Sequence, residues 1–167
     1  MIAAENLRFG SAKFGFFGDG AVVRVYPREE AEIHDIDINV SCWHLDWQIS
    51  SMAQIINSLS QVFSAVEHLT FEHDEHDLSS EEHNEVDRTE WRRLLRPFSN
   101  VKTLRIENGL VEELSRCLQL EDGELPLEVL PELQELTYSG SGNIGDEFAS
   151  FADARQNADR PITLFRG

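Results

Sequence analysis

Cysteine is scarce in this sequence. Cys42 and Cys117 are its only two, too few for the disulfide-dense scaffold of a small secreted domain. Basic residues are also in short supply, with 14 Lys and Arg against 31 Asp and Glu and a formal net charge of −17. Affinity for phosphate backbones and anionic membranes comes from clustered Lys and Arg. Nucleic acid and membrane surfaces are therefore disfavoured as partners, and basic proteins or cations are favoured. No apolar run approaches the length that crosses a bilayer, and the segment from Met1 to Arg8 lacks the apolar core of a signal peptide. These absences together lead us to expect a soluble cytoplasmic protein, with the nucleus also open to it, whose thiols stay reduced as small apolar fillers.

Recognisable reaction motifs are missing too. There is no G-x-S-x-G nucleophile elbow and no P-loop, and no spacing singles out three of the many Ser, His and Asp residues as a triad.

What is present is a hydrophobic content of 41% over 167 residues, enough for one core of ordinary size. We expect a single domain over residues 1–167, with residues 1–32 forming an N-terminal hairpin or cap. Phe14 to Phe17 and Ala21 to Tyr26 flank Gly18-Asp19-Gly20, a loop of the kind that closes hairpins. From residue 33 onward a strand pattern recurs: Ile33, Ile36 and Ile38; Val66, Leu69 and Phe71; Val101, Leu104 and Ile106; Leu133, Leu136 and Tyr138; then Ile162 to Phe165. Segments with helical apolar spacing lie between the copies. One carries Met52, Ile55, Ile56, Leu59 and Phe63, with Asp46 as its expected cap. The next carries Trp91, Leu94, Leu95 and Phe98 and should end at Pro97. Leu110, Val111, Leu114 and Leu118 mark the third, and Phe148, Phe151 and Ala152 the fourth.

Using Ile36, Leu69, Leu104, Leu136 and Leu164 as markers, the units repeat every 28 to 35 residues or about that. Periods of this size belong to stacked strand-helix units, each of which completes its core against its neighbours. The expected fold is α/β, an open right-handed solenoid with a parallel sheet on one face and helices on the other.

The segments Trp43 to Met52, Val66 to Phe71, Asp87 to Trp91, Val101 to Ile106, Gly109 to Leu114 and Leu130 to Leu136 carry a more specific likeness. Over residues 33–165 the chain resembles the C-terminal leucine-rich-repeat region of uncharacterised basidiomycete F-box-like proteins. In proteins of that kind an F-box recruits a ubiquitin ligase and the repeats hold its client. The resemblance thus implies a fungal leucine-rich-repeat protein whose repeats bind another protein. Nothing before Ile33 reads as a three-helix F-box, so ligase recruitment is not implied.

Side chains alternate along a strand, so residues one step from the core positions face the open side of the sheet. They are Asp35, Asp37 and Asn39; His68, Thr70 and Glu72; Thr103, Arg105 and Glu107; and Glu135, Thr137 and Ser139. Five of the twelve are acidic, and Arg105 is the one fixed positive charge among them. Such a ladder is the usual contact surface of a solenoid, and its sign favours a basic protein. The plainer alternative is a solvated sheet face.

Two further clusters invite chemistry. His73, His76 and Asp77, with Glu81, Glu82, His83 and the nearby His68, offer imidazole and carboxylate ligands for zinc, nickel or copper. A flexible acidic loop is the blander explanation, and the one preferred. Gly140, Gly142 and Gly145 form a G-x-G-x-x-G between a predicted strand and a predicted helix, with Arg166 after the next strand. That could seat a dinucleotide at a helix N-terminus. The preceding strand alternates, however, where a doubly wound sheet would bury both of its faces. Trp43, Trp47 and Trp91 read as core aromatics before they read as a pocket lining.

The expected function is a non-enzymatic protein-protein interaction module without a cofactor. The alternative is a small-molecule or metal-binding protein using the His73 to His83 segment or the Gly140 to Gly145 turn. Homo-oligomerisation through the open solenoid ends is a third possibility.

Overall fold

The alternating apolar segments become strands in the computed structural model of the chain, which describes residues 10–17, 19–27, 36–41, 45–73, 88–107, 110–119, 128–138 and 148–166. The strands are β1 (Ser11–Phe17), β2 (Gly20–Tyr26), β3 (Ile36–Ser41), β4 (His68–His73), β5 (Thr103–Ile106), β6 (Glu135–Tyr138) and β7 (Thr163–Arg166). Helices α1 (Leu45–Ser58) and the single turn α2 (Ser60–Phe63) link β3 to β4; α3 (Arg88–Leu95), α4 (Val111–Leu118) and α5 (Ala149–Asn157) link the later strands in turn. All seven strands form one open sheet in the order β3-β2-β1-β4-β5-β6-β7. From β1 to β7 the neighbours are parallel, whereas β1, β2 and β3 pair antiparallel.

This order corrects the expectation of a terminal cap. The β1-β2 hairpin lies inside the sheet, between the first and second predicted repeat strands, so β3 does not stack directly on β4. The reason is visible in β1 itself. Ala12, Phe14 and Phe16 are all fully buried, and so apolar a strand gains most from a neighbour on each edge. The alternation of a hairpin reports its faces but not what its outer edge will pair with.

The repeat markers nevertheless share one lateral row. Pairing carries Leu69 to Leu104, Leu136 and Leu164 in one direction. In the other it carries Leu69 to Ala12, Val25 and Ile36. Each parallel strand also begins the same way, with Glu67 N and His68 N donating to Gly10 O, Thr103 N to Glu67 O, Glu135 N to Lys102 O and Thr163 N to Gln134 O.

The inward rows pack against the helices in one continuous core. Beneath β1 and β4 it is aromatic: Phe14 stacks on Phe71 at 5.1 Å, and Phe16 and Phe71 both meet Trp91 edge-on near 6.0 Å and 5.8 Å. Trp91, Leu94, Leu95 and Phe98 are all buried, as the helical spacing predicts. Burying side chains of this size stabilises the fold by roughly 1.5–3 kcal/mol each. Two expectations fail at α1. The helix begins at Leu45, so Asp46 lies within it rather than capping it. The chain then breaks at Leu59, which is exposed rather than inward-facing. Trp47 likewise points away from the core, with 58% of its surface exposed; Trp43 lies outside the described residues.

One buried charge organises the far end. Arg155, on α5, is fully buried. It donates from Nη1 to Leu130 O at 2.8 Å and from Nη2 to Pro131 O at 3.1 Å and Leu133 O at 2.9 Å, while its guanidinium lies 5.7 Å from the Phe151 ring. Burial lowers its pKa from the ordinary arginine value, Arg160 lowers it further, and Glu132 opposes both. Cys117 is buried. Among the described residues no helix is long and apolar enough to cross a membrane.

Candidate interaction face

With the helices covering one side, the outward residues of the strands form the other. Register places them in lateral rows. The row nearest the starts of the parallel strands reads Tyr26, Ser11, His68, Thr103, Glu135 and Thr163. The middle row reads Asp37, Arg24, Lys13, Thr70, Arg105, Thr137 and Phe165. In the third row Asn39, Val22, Gly15 and Glu72 are successive partners. Glu107 continues it, because its amide donates to Phe71 O on β4 at 2.9 Å.

The alternation reading thus puts Asp37, Asn39, His68, Thr70, Glu72, Thr103, Arg105, Glu107, Glu135 and Thr137 on one face, while Asp35 and Ser139 lie outside the described residues. The composition of that face differs from the expected acidic ladder. Arg105 is joined by Lys13 and Arg24, supplied by the hairpin that takes its place inside the sheet. Each cation has an acid beside it. Lys13 Nζ is 2.7 Å from Glu72 Oε1, Arg24 Nε is 3.5 Å from Asp37 Oδ2, and Arg105 Nε is 3.7 Å from Glu107 Oε1. The face is zwitterionic, with its cations gathered in the middle row. Nothing in the strand pattern of β1 and β2 could have shown this, because it required knowing where the hairpin goes.

A groove of about 460 Å³ runs across the centre of this face. Its walls come from β4, β5, β6 and the β1-β2 hairpin: Ser11, Lys13, Tyr26, His68, Thr70, Thr103, Arg105, Glu135 and Thr137, with Leu69 and Leu104 contributing as well. His68 Nδ1 and Thr103 Oγ1 lie 2.6 Å apart across β4 and β5, which fixes the imidazole against its neighbour. The lining is hydroxyl-rich and charged. At the other end of the face Phe17 covers Gly15. A Cβ built on Gly15 would lie 3.1 Å from the Phe17 ring and 3.3 Å from Val22 Cγ1, so the absent side chain is what lets the ring lie flat there. Phe17 and, at the β7 edge, Phe165 remain 40% and 45% exposed.

The geometry of β4 separates two of the suggested metal ligands. His68 and His73 are at opposite ends of β4 and, being an odd number of residues apart, project from opposite faces of the sheet. Their Cα atoms are separated by about 16 Å along the strand, so they cannot share an ion. His76, Asp77 and His83 lie outside the described residues, as does the Gly140 to Gly145 turn. Among the described residues no group of three or more His, Cys, Asp or Glu is placed to hold a metal. Comparisons with protein-family models, with curated proteins and with solved structures find no match to this chain.

Proposed function

We propose that this protein is a non-enzymatic interaction module, a leucine-rich-repeat-like solenoid in its β4 to β7 half, that binds another protein across the open face of its sheet. The observation that carries the reading is the groove over β1, β4, β5 and β6, walled by side chains from strands far apart in sequence and left uncovered by any described element. Solenoids bind through surfaces of this kind because stacked units repeat a row of outward positions at a fixed spacing. The repeated backbone contacts at each strand start support the solenoid reading. The resemblance to the repeat region of F-box-like proteins, in which repeats hold a client, favours a protein as the occupant.

Charge acts at two ranges. The net charge of −17 draws partners of net positive charge and speeds their approach. Within the groove the acids no longer dominate, so the contact itself is selective for pattern rather than for overall sign. The test is a substitution that fills the groove. Thr103→Trp should abolish capture of a partner from native extract, while Gln54→Trp, on the exposed surface of α1, leaves capture unchanged. Retention of every captured protein by Thr103→Trp would overturn the proposal.

A further inference from the structure

We infer that the outer edge of β7 is a self-association surface, on which a second copy of this chain pairs antiparallel through its own β7 about a two-fold axis at Leu164. The inference is independent of what the open face of the sheet binds.

Strand β7 ends the sheet, and no described element pairs with its outer edge. Thr163 N donates to Gln134 O on the β6 side. Amides alternate in direction along a strand, so the N–H and C=O of Leu164 point away from β6. The core row is unfinished at the same place. Leu69, Leu104 and Leu136, each with a strand on both sides, are 1%, 1% and 0% exposed, whereas Ile162 and Leu164 are only partly buried. Stacked units complete their cores against the next unit, and among the described residues β7 has none.

The edge is complementary to itself. In an antiparallel pair one residue exchanges both hydrogen bonds with the residue opposite it. Leu164 facing its own copy does so with the two groups that β6 leaves open, and the inward leucine row then runs on from one copy into the other. On the open face the same register sets Thr163 of each copy opposite Phe165 of the other, twice by symmetry. An aromatic ring beside a β-branched side chain is a favourable cross-strand pair, and it covers a phenylalanine that is otherwise 45% exposed.

The charge distribution selects this edge. A net charge of −17 opposes contact between two copies over most of the surface. Residues 148–167 are the exception, with Arg155, Arg160 and Arg166 against Asp153 and Asp159. The other edge strand, β3, exposes Asp37 and Asn39, and charged side chains on an edge oppose strand addition. Assembly therefore stops at two copies. One four-residue strand from each copy covers less than the roughly 1,000 Å² of a stable interface, so the dimer forms and dissociates with concentration. Salt should strengthen it, by screening the repulsion between the acidic remainders of the two chains.

The experiment is sedimentation equilibrium of the full-length chain over roughly 5 to 500 µM, the range in which a small interface fills. It is repeated with Phe165→Lys and with Asn39→Lys, which adds the same charge at the β3 edge. The 19.0 kDa chain should pass to a species of twice that mass, more readily at higher salt. Phe165→Lys should weaken the dimer by about tenfold or more, and Asn39→Lys should not weaken it. Amide exchange at Leu164 in the unaltered chain should slow as concentration rises, which keeps the inference testable if Phe165→Lys fails to fold. A monomer at every concentration, species larger than a dimer, a dimer weakened by Asn39→Lys but not by Phe165→Lys, or a dimer whose Leu164 amide gains no protection would each overturn it.

Discussion

Arg155 Nη1 donates to the carbonyl of Leu130 at 2.8 Å, and Leu130 has a φ of 51°. Left-handed backbone is costly for a side chain of this type. Here the leucine is buried and its carbonyl is held by a guanidinium that also gathers Pro131 and Leu133. The turn before β6 is therefore built around a charge supplied by α5, from the following connection. Replacing Arg155 by Met should cost about 3 kcal/mol, because the buried carbonyls lose their donors. Arg155→Lys should recover less than half of that, since an ammonium cannot reproduce the planar fork. Urea unfolding of the two variants checks both statements.

Two glycines should respond unequally to alanine. At Gly20 a Cβ would meet the backbone oxygen of Val40 at 2.5 Å, whereas at Gly15 it would meet the movable Phe17 ring at 3.1 Å. A backbone atom held in the β2-β3 pairing cannot yield without loosening that pairing. We expect Gly20→Ala to destabilise by about 2 kcal/mol or more and Gly15→Ala by about 0.5–1 kcal/mol, read from thermal unfolding. Equal losses would contradict the packing described at the hairpin.

Amide hydrogen exchange separates the observed topology from a terminal cap. If β1 is paired on both edges, the amides from Ala12 to Phe16 should exchange as slowly as those of β4. As an outer cap they would exchange early, together with the edge strands β3 and β7.

The hydrogen bond between His68 and Thr103 is on the groove floor and partly buried. Thr103→Val should lower stability by about 0.5–1.5 kcal/mol and shift the His68 ring resonances in an NMR spectrum. The fold should be retained, because the exchange is nearly isosteric and faces outward.

Much of this architecture can be read without coordinates. The alternation of Leu69, Leu104, Leu136 and Leu164 with outward polar residues gave both the order of the parallel strands and the face that lines the groove, since a period of two leaves no freedom about which side a residue takes. Trp91, Leu94, Leu95 and Phe98 were equally plain. What could not be read is long-range. Lys13 and Arg24 carry the same outward signal as Arg105, yet their place in the middle row depends on β1 pairing with β4, and no local pattern encodes that. Arg155 gives no warning either: an arginine in a polar helix reads as solvated, and only the carbonyls converging from the preceding turn explain its burial. His68 and His73 show the converse error, in which residues close in sequence are kept apart by the sheet between them.

The position of the hairpin also bears on how the chain reaches its native state. Strands β4 to β7 each find their partner one unit away, so that half can assemble by adding neighbours in succession. Strand β1 must wait for β4 across the whole of β2, β3, α1 and α2, and closing so long a loop is entropically costly and slow. The Ser11 to His68 junction is thus where the two halves of the sheet are welded, and its formation should set the folding rate. Until it closes, the edge of β4 and the aromatic side chains beneath it are open to any other strand that arrives first.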